Sequence, residues 1–284
     1  MKIYGTNYGG FGNAVFNKLG TILLWILFSP NAELVSFDTM EEIDEYKQNS
    51  ILIDEFYFVN IVNSKIEKGI DILDPEKNYF FSGYSQHDEI YTRYKKQIVD
   101  YILAHPLEKI YVAHENRFLP IYHIVAQKNT ETYDIVLHLR LGDFVRLGWT
   151  IHPECVRQVF ENVLSSIDAV QNEKQVAILV DHQETELENQ YVEYIRSVCP
   201  EAIVYDKTDI FTAYNLMRNA KRMICSCSTF SWIATLFARE YQRVSFPNYE
   251  HRWQHEYFRK VHENFTYYNI SRISETDLQQ FLSG

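Results

Sequence analysis

Apolar and polar positions alternate between two periods along the chain, and these periods predict its elements. In the first part, short apolar runs of strand length precede longer segments whose apolar residues recur at helical spacing, as in the stripe Ile90, Tyr94, Ile98 and Ile102. The predicted strands cover residues 2–6, 33–37, 51–54 and 79–84, and the predicted helices cover 13–28, 40–47 and 87–104. The pattern over 106–129 is less regular and contains an apolar run at 118–126.

The second part repeats the alternation more regularly. The predicted strands cover residues 135–140, 175–181, 202–205, 223–227 and 244–246, and the predicted helices cover 153–167, 184–198, 209–220 and 231–240. Strands that alternate with helices predict an α/β fold with parallel sheets. The polar stretch 129–132 divides the chain into two Rossmann-like domains, 1–130 and 131–284, which we expect to face each other across a cleft. Ligands bind at the carboxyl ends of parallel strands.

Composition excludes one large class of partners. The chain has 284 residues and a net charge of −11, whereas a nucleic-acid binder needs a broad basic face. A local arginine cluster could still hold a small anionic ligand. The 21 Tyr, 18 Phe and 4 Trp residues can fill a core or line sites for sugars and bases. The oligomeric state stays open.

The pattern of cysteines, together with the lack of an evident signal peptide, predicts a reducing compartment. The four cysteines, Cys155, Cys199, Cys225 and Cys227, do not form a disulfide framework or a metal-ligand pattern, so we expect free thiols and no metal. No signal peptide is evident, and the apolar run 21–28 is too short to span a bilayer. We therefore expect a buried helix there and a cytoplasmic protein, with shallow membrane contact left open.

The segment 134–143 carries the first candidate chemistry. Its apolar run ends in His138 and Arg140, which share one face of a strand, and Gly142 then allows a sharp turn before Asp143. A guanidinium at a strand end can hold a phosphate through two hydrogen bonds. The alternative is a buried strand whose exit carries a salt bridge.

A glycine-rich loop precedes the first predicted helix. Gly10, Gly12 and Asn13 would let a ligand approach the backbone and the free N–H groups of a helix start. The loop partly matches a dinucleotide-binding fingerprint, with Asp38 at the end of the next predicted strand, but Val15 stands where the third glycine is required. A purely structural glycine turn is the alternative.

Two further segments combine hydroxyl groups with turns. Residues 225–232 run from a predicted strand into a helix, and Ser228, Thr229 and Ser231 there can either bind phosphate or cap the helix. In the segment 82–86, a glycine turn places Tyr84 and Gln86 where they could bond to a hydroxyl-rich ligand.

Together these segments resemble the α-1,2-fucosyltransferases of glycosyltransferase family 11, within the wider group of GT-B fucosyltransferases. The segment GGFGNAVF at 9–16 is similar to the family's G-G-L-G-N-Q-x-F, SGYSQ at 82–86 to its G-Y-F-Q, HLRLGD at 138–143 to its H-V-R-R-G-D, and STFSW at 228–232 to its S-T-F-S-W-W. Three positions differ: Ala14 replaces the Gln, Leu141 the second Arg and Ile233 the second Trp.

The resemblance implies a GT-B fold and inverting transfer of a sugar, in first place fucose from GDP-fucose, onto a glycan hydroxyl. The chain has no Asp-x-Asp segment to hold a metal, so Arg140 would stabilise the leaving diphosphate, and His138 would orient Arg140 or contact the donor. The other donor-side residues would be Gly10, Gly12, Asn13, Asp143, Asp181, Ser228, Thr229, Phe230 and Ser231. The alternative for Asp143, which we favour, is a structural residue that ties down the turn. Tyr84 and Gln86 would lie on the acceptor side, and Asp181 would accept hydrogen bonds from the ribose or the base. No residue is assigned as the catalytic base.

Other functions stay open at this point. The missing Arg at Leu141 leaves room for a sibling transferase that uses another donor, such as UDP-xylose. The Gly10–Gly12 loop alone would suit a nicotinamide-dependent oxidoreductase. The departures at Leu141 and Ala14 would also suit a glycan-binding protein that has lost catalysis. As an enzyme it would act on cytosolic glycans or lipid-linked precursors, as in bacteria or large viruses.

Overall fold

The computed structural model describes residues 1–6, 9–29, 31–83, 88–126, 132–167, 174–181, 183–238, 241–248 and 265–283. The chain divides into two units, Met1–Gln127 and Lys128–Gly284, against a predicted boundary between residues 130 and 131. Both units contain parallel sheets and helices, which confirms the predicted α/β class.

Unit 1 is built on a four-stranded parallel sheet with the strand order β2-β1-β4-β3. Its elements are β1 (Lys2–Gly5), α1 (Phe11–Phe28), β2 (Glu33–Leu34), α2 (Met40–Gln48), β3 (Ile51–Ile53), α3 (Glu55–Lys68), β4 (Asn78–Phe81) and α4 (Asp88–Ala104). The hairpin of β5 (Lys109–Val112) and β6 (Arg117–Pro120) and the short α5 (Tyr122–Val125) follow.

Helix α1 packs against β1 at a distance that only glycine permits. A Cβ atom built on Gly5 would lie 2.5 Å from Thr21 Oγ1 and 2.7 Å from Asn17 Oδ1. Asn17 Nδ2 donates to the carbonyl groups of Phe81, at 3.2 Å, and Gly83, at 3.0 Å. The helix is therefore fixed to the carboxyl ends of both central strands.

The same helix is apolar along its whole length. Among the described residues, α1 is the helix that is long and apolar enough to cross a membrane, and 78% of it is buried in the structure. The apolar run 21–28 is the second half of this 18-residue helix, and the expectation of a buried helix there is confirmed. Because a buried core helix meets the same criteria, its packing accounts for its composition.

A buried ion pair connects α1 to two later segments of unit 1. Lys18 is 3% exposed, and its Nζ atom lies 2.5 Å from Glu108 Oε2 just before β5. The Ser36 hydroxyl, after β2, donates to the same oxygen at 2.7 Å. Burial acts to raise the pKa of Glu108, but the neighbouring Lys18 charge and these hydrogen bonds bring it below its usual value.

Unit 2 contains a six-stranded parallel sheet with the order β10-β9-β7-β11-β12-β13. Its elements are β7 (Ile135–Leu139), α6 (Asp143–Arg146), β8 (Thr150–Ile151), α7 (Pro153–Ser165), β9 (Val176–Val180), α8 (Glu186–Arg196), β10 (Ile203–Asp206), α9 (Ile210–Asn219), β11 (Arg222–Ile224), α10 (Thr229–Leu236), β12 (Arg243–Asn248), β13 (Phe265–Asn269), β14 (Arg272–Ile273) and α11 (Glu275–Ser283). Counted in chain order within the sheet, the strands lie 3-2-1-4-5-6. This is the doubly wound order, which reverses direction between its first and fourth strands, here β7 and β11.

The two strands β7 and β9 are buried on both faces. Every residue of β7 and β9 is buried, as expected for parallel strands that have helices on both sides. Residues of α7, α8 and α11 pack on the face that carries Ile135, Leu137 and Leu139. This packing holds the strand ends, and the residues that follow them, in place.

Several element predictions need correction. Helix α3 was not predicted, although Asp54 caps its start and Gly69, with φ of 67°, ends it. Strands β13 and β14 and helix α11 were also missed. The strand predicted at 33–37 has two residues, and the one predicted at 223–227 ends at Ile224 because the chain then turns toward α10.

Candidate functional site

The candidate site lies at the carboxyl edge of the unit 2 sheet, where three neighbouring strands end. Asp181 follows β9, Arg140 follows β7, and Ser226 lies two residues beyond β11. β7 and β11 are neighbours in the sheet at the point where the strand order reverses. On one side of this point β9 and β10 follow β7, and on the other side β12 and β13 follow β11. In doubly wound sheets this is the position where ligands bind.

The Arg140 guanidinium is held by two carboxylates. Its Nη1 atom lies 2.5 Å from Asp181 Oδ2, and its Nη2 atom lies 2.8 Å from Asp143 Oδ1. The guanidinium carbon also lies 5.1 Å from the centre of the Phe144 ring. The salt bridge given as the alternative for this strand exit is therefore present, and an incoming phosphate would compete with a carboxylate that is already bound.

Asp181 lies at the end of β9, where the sequence predicts it, and it contacts two groups of the chain. Its Oδ1 atom accepts a hydrogen bond from the Leu141 N–H group at 2.9 Å, and its other oxygen pairs with Arg140. Both oxygens thus contact the chain itself, and the expected contact with a ribose or a base stays a prediction. Asp181 holds the strand exit and the guanidinium in one arrangement.

The turn after β7 depends on Gly142. This residue has φ of 56° and ψ of −115°, a region that side chains rarely adopt. Its N–H group donates at 3.1 Å to Glu188, a buried residue of α8 that sequence reasoning missed. The Glu184 and Thr185 N–H groups donate to the other Glu188 oxygen at 2.7 and 2.9 Å.

These hydrogen bonds keep Glu188 ionised. Burial acts to raise the pKa of Glu188, but the N–H groups that donate to it bring the pKa below its usual value. Thr185, which caps α8, forms a capping box with Glu188. The T-E-L-E pattern at 185–188 was a readable signal for this cap, but its contact with Gly142 depends on the tertiary fold.

His138 joins the two strand-end motifs. The ring is 2% exposed, and its Nδ1 atom lies 2.5 Å from Ser231 Oγ and 3.0 Å from Ser226 Oγ. Burial, together with the positive charge of Arg140, lowers the pKa of His138 to about 3. The ring is therefore neutral at ordinary pH, and its Nδ1 can accept from either hydroxyl when its proton is on Nε2.

His138 and Arg140 bond to opposite neighbours, although their spacing predicts a shared face. His138 bonds toward β11 and α10, whereas Arg140, one residue beyond the strand, bonds toward the end of β9. Sequence reasoning missed Ser226, because it drew attention only to the hydroxyls that follow Cys227.

The start of α10 uses part of its predicted phosphate-binding set internally. Ser228 caps the helix and accepts from the Phe230 N–H group at 3.2 Å. Ser231 is 0% exposed and bonds to His138. Thr229, the first residue of the helix, is half-buried. The Thr229 hydroxyl and the first N–H groups of α10 other than that of Phe230 are thus the groups placed for an anion.

A narrow pocket lies beside Arg140 and Ser226. Its lining includes Leu139, Arg140, Trp149, Tyr191 and Tyr268. Its free volume is about 10 Å³, room for about one water molecule. A nucleotide would therefore have to lie over the sheet edge rather than inside this pocket.

The predicted residues of the glycine loop belong to unit 1. Gly10 is the N-cap of α1, and Gly12 and Asn13 lie in its first turn because the helix begins at Phe11, two residues earlier than predicted. Tyr84 and Gln86 lie outside the described residues. Asp38 lies beyond the short β2 and pairs with Lys109 at 2.6 Å, so it does not end a strand as a dinucleotide fingerprint requires.

All four cysteines are free, and within the described part of the chain no group of three His, Cys, Asp or Glu side chains could hold a metal ion. The four motifs that carry the resemblance to family 11 are divided between the units, two in each. No protein-family model, curated protein or solved structure matches the chain.

Proposed function

We propose that the protein is a glycosyltransferase whose unit 2 binds a nucleotide-sugar donor. The observation that carries this proposal is the adjacency of β7 and β11 at the reversal of a doubly wound sheet. Of the two unit 2 motifs that resemble family 11, the segment 138–143 begins at the end of β7 and the segment 228–232 follows β11. His138 bonds to Ser226 and Ser231 and so connects the two. A nucleotide at this edge would meet a guanidinium on one side and a helix start on the other.

In the proposed reaction an acceptor hydroxyl attacks the anomeric carbon and inverts it. The bond from that carbon to the diphosphate breaks, and the electron pair leaves with the nucleoside diphosphate. Arg140 and the first N–H groups of α10 stabilise the charge that develops there, as positioned donors do in other transferases. The acceptor proton passes to a base that is not assigned. The GT-B arrangement, in which unit 1 binds the acceptor, is part of the proposal.

The donor is proposed as GDP-fucose, with a UDP-sugar such as UDP-xylose as the alternative. The resemblance favours the first. The position of the family's second Arg favours neither, because Leu141 is 1% exposed and packs in the unit 2 core. That position therefore supplies no cation to the diphosphate.

The test is a panel of nucleotide sugars with the whole chain. We expect one donor to raise the thermal unfolding temperature and to release its nucleoside diphosphate. Arg140→Lys keeps the charge but loses the paired hydrogen bonds, so release should fall by roughly 10- to 100-fold, or about 1.4–3 kcal/mol of lost charge stabilisation. Arg157→Ala is the matched control, since Arg157 pairs with Glu161 on the surface of α7.

The outcomes separate the alternatives. Stabilisation by UDP-sugars but not by GDP-fucose would move the donor to the second choice. Tight NADH binding with no response to nucleotide sugars would favour the oxidoreductase. Unchanged turnover in a folded Arg140→Lys variant would contradict the role given to Arg140.

A further inference from the structure

The two carboxylates that hold Arg140 differ in how firmly they are themselves held. Asp181 is 16% exposed in its side chain, and its second oxygen accepts from the Leu141 N–H group. Asp143 is 43% exposed and is the first residue of the four-residue helix α6. An exposed side chain can rotate into solvent at little cost, whereas a partly buried carboxylate with a backbone bond loses two partners when it moves.

We propose that Asp143 occupies the position of a donor phosphate on Arg140 and is displaced when the nucleotide binds, while Asp181 stays as the fixed holder. This inference rests on the proposed function. A phosphate that takes the Nη2 N–H group used by Asp143 replaces the Asp143 oxygen, which lies 2.8 Å from Nη2. Asp181 keeps Nη1, so the guanidinium remains oriented during the exchange.

The charges of the two carboxylates on Arg140 explain why Asp143 would control the affinity for a phosphate. Arg140, Asp143 and Asp181 together carry a net charge of −1, which opposes an anionic ligand. Asp143 weakens phosphate binding in two ways, because it competes for the guanidinium and repels the incoming charge. Asp181 also repels the phosphate, but it fixes the Arg140 guanidinium to which the phosphate would bind.

Two chemically identical substitutions should therefore act in opposite directions. Asp143→Asn removes both the competitor and its charge, so we expect GDP or UDP, whichever the protein binds, to bind on the order of tenfold more tightly. Asp181→Asn can retain the acceptor for Leu141, but it can then turn an amide N–H toward the Arg140 guanidinium, donor against donor. We expect this variant to bind the diphosphate more weakly than the wild type.

The assay is isothermal titration calorimetry of the full chain with GDP and UDP, their monophosphates and their nucleosides. The gain in Asp143→Asn should grow with phosphate charge and vanish for the nucleoside, a dependence that a general change in stability would not produce. Glu161→Gln is the matched control, because Glu161 pairs with Arg157 at 2.9 Å on the surface of α7. Thermal unfolding checks that each variant folds.

The result expected is tighter diphosphate binding in Asp143→Asn and weaker binding in Asp181→Asn. Tighter binding in both variants would overturn the inference, because net charge alone would then explain the effect. Unchanged or weaker binding in Asp143→Asn would also overturn it and would leave the proposed function standing. Absence of nucleotide binding in the wild type and in every variant would refute the proposed function itself.

Discussion

The buried, neutral His138 predicts an acid-sensitive stability that one substitution should remove. In the folded protein, burial and the Arg140 charge lower the pKa of His138 to about 3. In the unfolded chain an ordinary histidine has a pKa of about 6.5. As the pH falls below 6.5, the unfolded state takes up a proton that the folded state refuses. The stability associated with His138 is therefore complete above pH 6.5 and is lost progressively down to pH 3.

The size of this effect follows from the two pKa values. Each pH unit between them costs about 1.4 kcal/mol of unfolding free energy. From pH 7.5 to pH 5.0 the loss from His138 is about 2 kcal/mol, and it reaches about 4 kcal/mol near pH 3. Glu108 and Glu188, whose pKa values lie below the usual ones, lose their contribution at more acidic pH, so the window above pH 5 separates them from the histidine.

The assay is urea unfolding of the wild type and of His138→Asn at pH 7.5 and pH 5.0, followed by circular dichroism. Asn retains an acceptor near the Ser226 and Ser231 hydroxyls but does not titrate. The variant is expected to be less stable at pH 7.5, and its loss between the two pH values should be about 2 kcal/mol smaller. Equal losses in the two proteins would refute the reasoning, as would an NMR titration in which the His138 ring protonates near pH 6.5.

Three other substitutions test the packing that supports the two units. Lys18→Met should destabilise unit 1 by about 3–5 kcal/mol in urea unfolding, because Glu108 would keep its buried charge without its cation; a loss below 1 kcal/mol would contradict this. Gly142→Ala should lower the stability by about 1–3 kcal/mol in thermal unfolding, since φ of 56° disfavours a side chain. Calorimetry should also show weaker nucleotide binding by this variant. Unchanged binding would count against the role of this turn. Tyr268→Phe should cost about 1–3 kcal/mol, because its hydroxyl donates to the buried Cys225 carbonyl at 2.6 Å, and a variant as stable as the wild type would show that this bond contributes nothing.

Local patterns predicted the elements whose period was strong. The apolar run that forms β7 and the helix α4 were predicted to within one or two residues, because period and length are local properties. Helix α3 was missed because its aromatic and β-branched residues obscure the helical period, although its end signals are present. Strand β13 was missed because it lies at the edge of the sheet, where its pairing with β12 defines it and its own sequence carries no clear period.

The sequence by itself determined that parallel strands alternate with helices, and it placed Arg140 at the end of one predicted strand and Ser228, Thr229 and Ser231 after another. Only the tertiary structure decided that β7 lies between β9 and β11. This strand order brings Asp181 into contact with Arg140, and Ser226 into contact with His138. The physical reason is that strand order and burial arise from long-range packing. A charge pair between separate strands, or a pKa shifted by burial, leaves no mark in local periodicity.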